Sequence, residues 1–188
     1  MHAHLSAAGG GWSPDGPCFP RDNVAFKTFA KSIGAPYDIA ETTHNFNREE
    51  VNRLKHFIKL KANKDDVIGI LGLSYKPNTP VVEESLSILL IKALKEDGYK
   101  IIAYDPKAIP EAKKELGDAC KFTRSTEECI EKANFIIIMT PWTEFQGIEH
   151  KLRNGQKVLD CWRILKEVEL KNKVEYIPLG KYHEFLAK

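Results

Sequence analysis

The sequence has few cysteines, and it lacks the spacings that bind metals or form disulfide frameworks. No two of its four cysteines stand in a CxxC arrangement. The six histidines form no HExxH motif and keep no fixed offset from a cysteine pair. We therefore expect no metal, and free thiols in a reducing cytoplasm. The cysteines are Cys18, Cys120, Cys129 and Cys161.

Long apolar runs and an excess of one charge sign are also missing. The longest apolar run, FIIIM at 135–139, is far shorter than the roughly 18 residues of a membrane helix. Lys and Arg number 28 against 26 Asp and Glu. This balance indicates neither a nucleic-acid partner nor a membrane surface. The 188 residues are enough for a core that folds without metals or disulfides.

Short apolar segments alternate with helical patterns from Val67 onward. Because nearly all-apolar strands separated by helices indicate a sheet covered on both faces, we predict a Rossmann-like α/β domain with a parallel sheet. Ligands of such sheets bind outside the carboxyl ends of the strands, at a topological switch point. The predicted strands are 67–72, 100–106, 135–140, 157–161 and 174–179, and the predicted helices are 81–97, 109–117 and 125–133.

The beginning of the chain has a different pattern. One helical pattern begins at Pro20 and a second at Asn47, which we expect to cap its helix. We predict two parts, with residues 1–62 forming a cysteine-bearing segment and helical connector. Residues 63–188 then form the Rossmann-like domain.

The loop LSYKPNTP after the first strand carries the clearest candidate site. We expect Thr79 to cap the next helix, Pro80 to be its first residue, and Lys76 to stand beside the amino end. A helix amino end beside a lysine suits a phosphate or pyrophosphate. An ordinary surface lysine on a tight turn explains the same residues equally well.

Polar and aromatic residues follow the other strands. Asp105 either accepts hydrogen bonds from the hydroxyl groups of a ribose or begins a turn. After Gly72, the further glycines of a dinucleotide-binding fingerprint are missing. Trp142 and Trp162 either stack on a base or sugar or pack at strand ends. Arg163 offers a planar fork to phosphate or carboxylate, or is ordinary surface charge.

Cys18 lies in the stretch GPCFPRD, just before a predicted helix. A thiol at a helix amino end beside Arg21 is favoured as a nucleophile. Asp22, four residues later, is placed to activate a water that attacks a cysteine-bound acyl group. A buried thiol followed by a capping acid remains the alternative.

Two motifs together resemble those of the nucleotide-sugar 6-dehydrogenases, the UDP-glucose and GDP-mannose dehydrogenase family. They are GPCFPRD at 16–22 and ILGLSYKPNTPVVEES at 70–85, and YDP at 104–106 agrees with them. The resemblance covers nearly the whole chain from about Gly11, but only the later half of such an enzyme. It implies oxidation of the C6 alcohol of a nucleotide-sugar, most simply a UDP-sugar, to the acid. The family uses NAD and a cysteine-bound thiohemiacetal and thioester.

The resemblance also implies a role for individual residues. Cys18 corresponds to the nucleophile, and Asp22 to the residue that assists thioester hydrolysis. Tyr75 and Lys76 correspond to residues that bind the nucleotide-sugar, and Arg163 to an Arg after a late strand. These five side chains form the predicted site.

The resemblance leads to further expectations about assembly. Only 17 residues precede Cys18, so the amino-terminal NAD-binding domain of the family has no counterpart, and we expect no turnover by this chain alone. We expect a homodimer, because apolar faces of the first helices are covered in the family. Glu83 stands near the position of a family Arg that faces the cofactor. The alternatives are a non-catalytic nucleotide or nucleotide-sugar binding module and a standalone NAD-binding protein.

Overall fold

The structure is a computed structural model that describes residues 18–180. Two helices precede a sheet whose strands alternate with helices. Two short 3₁₀ helices lie between the fourth and fifth strands. The helices are α1 Cys18–Ser32, α2 Asp38–Lys61, α3 Leu86–Glu96, α4 Ile109–Leu116, α5 Thr126–Lys132 and α6 Glu167–Leu170. The strands are β1 Val67–Leu71, β2 Lys100–Tyr104, β3 Lys121–Phe122, β4 Phe135–Ile138, β5 Lys157–Asp160 and β6 Glu175–Pro178.

The sheet is parallel throughout and has the strand order β3-β2-β1-β4-β5-β6. Ile70 of β1 pairs with Ala103 on one side and with Ile137 on the other. The order reverses between β1 and β4, which makes this the switch point where ligands of doubly wound sheets bind. The predicted Rossmann-like parallel sheet is therefore confirmed.

Successive strand residues point to opposite faces, and each face has its own core. Ile68 and Ile70 of β1 join a core with α2, α3 and α4. Leu71 and Ile138 join a second core with α5 and the 3₁₀ helices. Because both faces are covered by helices, the middle residues of the central strands are apolar, and charged residues stand at strand ends.

The connector helix α2 shares the core of the sheet. Leu54, Phe57 and Ile58 are buried against the first face. Lys55 and Lys59 both form ion pairs with Asp97 at the end of α3, at 3.1 and 3.0 Å. The carboxyl-terminal half of α2 is thus fixed to the domain by packing and by charge. Among residues 18–180, none of the helices is both long enough and apolar enough to cross a bilayer.

The beginning of α2 differs from the prediction. The helix starts at Asp38, so that Asn47 lies inside it and does not cap it. Asp38 and Glu41 lie in the first turn, where acidic side chains favour the helix dipole. Glu41 also forms a 2.6 Å ion pair with Lys27 of α1. These contacts extend the helix by about two turns beyond the predicted start.

The beginning of α3 also differs. The helix starts at Leu86, five residues after the predicted Val81, and Thr79 is not its cap. Ser85 donates its hydroxyl to the carbonyl of Leu73 at 2.7 Å, and Glu84 has a φ of +55°. This left-handed residue and the tie to β1 prevent a helix over 81–85.

The remaining predicted elements are present with ends that differ by no more than two residues. The structure also contains β3, a two-residue strand beside β2 that was not predicted from the sequence. A strand of this length carries no periodic pattern. The short helix α6 was likewise not predicted.

Gly72 allows β1 and the loop after β4 to approach each other. A Cβ at this position would lie 2.5 Å from Cβ of Thr140, and its φ is +96°. Gly98 has a similar φ of +82° but open space around it. Gly98→Ala should therefore cost about 1–2 kcal/mol for the left-handed backbone. Gly72→Ala should cost about 1–3 kcal/mol more, from overpacking. Urea unfolding measures both, and equal losses would contradict the role of close packing at Gly72.

Candidate functional site

A shallow pocket that is open to solvent lies at the carboxyl ends of β1, β4 and β5. Its walls come from the loop after β1, the first turn of α3, and the residues that follow β4 and β5. It lies beside the switch point between β1 and β4. The lining residues are Ser74, Tyr75, Ser85, Leu86, Ser87, Met139, Cys161 and Trp162.

One buried carboxylate, Asp105 after β2, connects the loops at this edge. Its Oδ2 accepts hydrogen bonds from the amides of Leu73 and Ser74 at 2.7 and 3.1 Å, and from the Ser74 hydroxyl at 3.1 Å. Trp142 Nε1, from the loop after β4, donates to the same oxygen at 3.1 Å. Asp105 is 1% exposed, so its charge depends on hydrogen-bond donors of the protein for compensation.

The other oxygen of Asp105 organises its own loop. Oδ1 accepts from the amides of Lys107 and Ala108, both at 2.8 Å. The turn interpretation of Asp105 is therefore the one that the structure supports. Its lone pairs are occupied by protein donors, which leaves none for a ribose hydroxyl. Trp142 is buried by the same network and does not face the pocket.

The loop after β1 is folded back on itself. The Tyr75 amide donates to the Val81 carbonyl at 3.1 Å, and the Thr140 hydroxyl donates to the Ser74 carbonyl at 2.7 Å. Asn78 takes a φ of +67° at the turn. These ties hold Tyr75 at the pocket and Lys76 beside it.

The amino end of α3 opens into the pocket without a side-chain cap. The residue before the helix, Ser85, uses its hydroxyl for the Leu73 carbonyl and makes no capping bond. The first amides of a helix have no partner within the helix. Leu86 and Ser87, which carry two of them, line the pocket. An 11-residue helix with a free amino end attracts an anion by its amides and its dipole.

Two cations directly follow pocket-lining residues in the chain, Lys76 after Tyr75 and Arg163 after Trp162. Lys76 is exposed, and its Nζ lies 5.2 Å from the centre of the Tyr75 ring. Arg163 is exposed on the loop after β5 with a φ of +56°. Neither cation forms an ion pair within residues 18–180. Both are therefore available to a negatively charged ligand.

The wall opposite α3 is formed by Trp162 and its neighbours. Trp162 is half-buried, and its Nε1 donates to the Met139 carbonyl at 2.8 Å. Cys161 Sγ lies 3.8 Å from Met139 Sδ. Because its N–H is bound, the indole ring has a fixed orientation at the pocket and presents an aromatic surface.

Cys18 and Asp22 lie apart from the pocket-lining residues, on α1. Cys18 is exposed and is the first residue of the helix as described. Asp22 is also exposed and pairs with Arg21 at 3.4 Å. The structure thus groups Tyr75, Lys76 and Arg163 at one edge, and it presents Cys18 and Asp22 on a separate helix.

The other thiols differ from Cys18 in their surroundings. Cys120, Cys129 and Cys161 are all buried. Burial raises the pKa of Cys120 to about 11 and that of Cys129 to about 12. Burial also raises the pKa of Cys161. Only Cys18 among the four is accessible as a nucleophile.

Several site residues were not predicted from the sequence. Ser85 and Ser87 were assigned to a helix interior, and Met139 and Cys161 to strands. The signal for Asp105 was present in YDP, but the donors to its Oδ2 are 31 to 37 residues away in the chain. A local pattern does not identify such partners.

The pocket lies within the segment that matches a known family model. Residues 69–167, just over half of the 188, match the UDP binding domain of the UDP-glucose/GDP-mannose dehydrogenase family. The chain belongs to this family.

Curated relatives agree with this membership. The chain is 32% identical over 136 residues to UDP-glucose 6-dehydrogenase TuaD of Bacillus subtilis, covering 71% of this chain and 30% of the relative. It is 29% identical over 174 residues to a UDP-glucose 6-dehydrogenase of Rhizobium meliloti, covering 88% and 40%. The chain thus spans well under half the length of these relatives.

Solved structures of the family have the same fold. A UDP-glucose dehydrogenase of Pyrobaculum islandicum superposes with a TM-score of 0.76 at 26% identity, over 90% of this chain and 38% of that one. A GDP-mannose dehydrogenase of Pseudomonas aeruginosa gives 0.72 at 19% identity, over 89% and 40%. The second likeness supports the fold alone.

The glycines in and after β1 do not form a cradle for NAD. A dinucleotide needs glycines that let its pyrophosphate approach the backbone. A Cβ on Gly69 would lie 2.7 Å from the Ala133 side chain, and one on Gly72 would meet Thr140. Both glycines are therefore used for internal packing, and no cofactor cradle remains beside β1.

Asp105→Asn tests the carboxylate that connects the loops. All six partners of Asp105 are donors, so the new amide NH₂ would face donors and leave some of them unpaired. We expect a loss of about 2–4 kcal/mol in the free energy of unfolding. Asp118→Asn, an exposed control whose carboxylate has no partner within residues 18–180, should change it by about 0.5 kcal/mol or less. Similar losses for both variants in chemical denaturation would contradict the role of Asp105.

Proposed function

We propose that this chain is the carboxyl-terminal part of an NAD-dependent UDP-sugar 6-dehydrogenase, and that the pocket binds the diphosphate of the UDP-sugar. The observation that carries the proposal is the uncapped amino end of α3 at the pocket, together with the exposed Lys76 on the loop after β1. Both lie inside the segment that matches a UDP binding domain. UDP-glucose is the simplest candidate, because the similar curated proteins are named UDP-glucose 6-dehydrogenases.

The geometry supports a diphosphate ligand in particular. The amides of Leu86 and Ser87 supply directed donors, and the helix dipole adds a partial positive charge. Lys76 on the loop after β1 and Arg163 on the loop after β5 would supply two full charges from the same edge of the sheet. Two phosphates close together need this combination, since a single lysine would leave one of them uncompensated.

The aromatic side chains of the pocket support a nucleoside attached to that diphosphate. Tyr75 and Trp162 are both half-buried and line the pocket. Aromatic faces stack on a base or on the apolar face of a sugar. The bound N–H of Trp162 fixes its ring before the ligand arrives, which reduces the entropy lost on binding.

Cys18 and Asp22 are the proposed catalytic residues. The Cys18 sulfur adds to the C6 aldehyde of the sugar and later holds the oxidised carbon as a thioester. Asp22 takes a proton from the water that attacks this thioester, and the acid and the free thiol are released. The support is that Cys18 is the exposed one of the four thiols and that it lies on α1 together with Asp22.

NAD is the hydride acceptor that the family implies. Protein atoms occupy the space next to Gly69 and Gly72, where a dinucleotide would have to approach the backbone. We therefore place the NAD site outside residues 18–180. Oxidation by this chain alone is therefore not proposed. The four unpaired cysteines fit a reducing compartment, and we place the enzyme in the cytoplasm.

We also propose that the enzyme is a homodimer through α1 and α2. Within residues 18–180, seven of the ten exposed large apolar side chains lie between residues 19 and 60. Phe29 and Ile33 are each 62% exposed, and Ile39 is 85% exposed. Apolar surface of this density is typical of an interface and not of a free surface.

Calorimetric titration of the chain tests the ligand. UDP-glucose should bind, GDP-mannose should bind more weakly, and Lys76→Ala should raise the Kd for UDP-glucose about tenfold through loss of a charge on the diphosphate. Lys107→Ala is the matched control, because Lys107 is an exposed lysine at the same edge of the sheet. This control should change the Kd by less than about twofold. A folded chain that binds no UDP-glucose, or equal effects of the two variants, would refute the proposed site.

Light scattering tests the dimer. The chain should have twice the mass of one copy, and the double variant Phe29→Asp, Ile33→Asp should have the mass of a single copy, because two charges cannot be buried without partners. Val168→Asp is the control, since Val168 is 87% exposed on α6. A single-copy mass for the unmodified chain, or dissociation by the control as well, would argue against this interface.

A further inference from the structure

The loop that carries Trp162 and Arg163 is held from below by buried side chains. Asp160, at the end of β5, is fully buried. Its Oδ1 accepts from the Trp162 amide at 3.0 Å, and its Oδ2 accepts from the Leu165 amide at 3.0 Å. The loop thus closes over the carboxylate, with Arg163 at its tip.

Tyr176, on the edge strand β6, is a further hydrogen-bond donor to Asp160. The Tyr176 hydroxyl donates to Asp160 Oδ2 at 3.0 Å and lies 3.5 Å from the Leu165 carbonyl. Burial and the Asp160 charge raise the pKa of Tyr176. The phenol therefore stays protonated at neutral pH and remains a donor to the carboxylate.

Glu149 fixes the far end of the same loop. It is 2% exposed, and its Oε1 accepts from the Lys166 amide at 2.7 Å. Its Oε2 is buried and has no hydrogen-bond partner within residues 18–180. Lys173 Nζ donates to the Glu149 carbonyl at 2.9 Å and so fastens the short helix that carries Glu149. A buried carboxylate with one unpaired oxygen is costly, and the bond to Lys166 is what it gains in this position.

These contacts act on a residue in an unfavourable backbone conformation. Arg163 has a φ of +56°, a left-handed conformation that is unfavourable for a non-glycine residue. Its side chain has no partner within the described part of the chain to offset that cost. The bonds at residues 162, 165 and 166 on either side therefore hold the tip in place.

We infer that Tyr176 and Glu149 are positioning residues that hold the 161–166 loop so that Arg163 faces the pocket. This inference rests on the proposed function, because it takes the pocket to be the site of a diphosphate. Tyr176 acts through Asp160, and Glu149 acts through the Lys166 amide. Neither residue lines the pocket.

Hydrogen exchange of the unliganded chain tests the loop directly. Tyr176→Phe removes only a hydroxyl, and it should speed exchange of the Leu165 amide about tenfold by loosening its acceptor. Tyr37→Phe is the control, because the Tyr37 hydroxyl has no hydrogen-bond partner within residues 18–180. Unchanged exchange at Leu165 in Tyr176→Phe would overturn the inference, whether or not UDP binds.

A double-mutant comparison tests whether the loop acts through Arg163. Tyr176→Phe should raise the Kd for UDP about threefold to tenfold in the otherwise unmodified chain. In an Arg163→Ala background it should have almost no effect, because the group that it positions is absent. A general loss of stability would weaken binding equally in both backgrounds, and that result would refute the positioning role.

A pair of variants tests Glu149 in the same way. Glu149→Gln keeps an oxygen that accepts from the Lys166 amide, so this variant should retain most of the affinity for UDP. Glu149→Ala removes the acceptor and should raise the Kd for UDP by about as much as Tyr176→Phe does. Equal affinities for the two variants would contradict the role of the Lys166 bond. If the unmodified chain binds no UDP, the proposed function fails. The exchange rates at Leu165 and Lys166 then decide the loop-holding role by themselves.

Discussion

The candidate site depends on the burial of one charge, that of Asp105. A carboxylate at 1% exposure is tolerated only when donors compensate it, and six donors do so here. Two of them, the amides of Lys107 and Ala108, belong to the turn that begins α4, where the helix dipole also favours a negative charge. The other four come from the loops after β1 and β4. The edge of the sheet is therefore one connected unit, and the pocket retains its shape without a ligand.

The same network explains why the amino end of α3 is free. With Leu73 and Ser74 held by Asp105, the Leu73 carbonyl is directed at Ser85, whose hydroxyl donates to it. The Ser85 hydroxyl is thereby turned toward the loop after β1 and makes no capping bond to α3. An absent cap costs a helix about 1 kcal/mol. An anion bound at the helix end would restore the missing interactions. Functional sites commonly have such a local loss of stability, which the ligand offsets.

The fold could be predicted from the sequence more fully than the site. Strands such as FIII at 135–138 are wholly apolar, and this pattern alone places them inside a covered parallel sheet. The start of α3 was predicted wrongly because Thr79 and Pro80 are strong local signals, whereas the deciding bond joins Ser85 to Leu73, 12 residues earlier. Asp105 was ambiguous for the same reason, since most of its donors lie more than 30 residues away in the chain. Contacts of this separation depend on the strand order, which residue types and spacing do not specify.

The two predicted groups of functional residues differ in how strongly the fold fixes them. Tyr75 and Lys76 lie on a loop that is tied at several points to β1, β2 and β4, so the binding pocket is a property of the folded domain. Cys18 and Asp22 lie on α1, which packs against α2 and exposes Phe26 and Phe29. Burial of those side chains needs a further surface, and that surface would also fix the position of Cys18. Binding of the nucleotide and chemistry at the sugar are thus separable in this chain, because the first needs only the sheet and the second needs whatever covers α1.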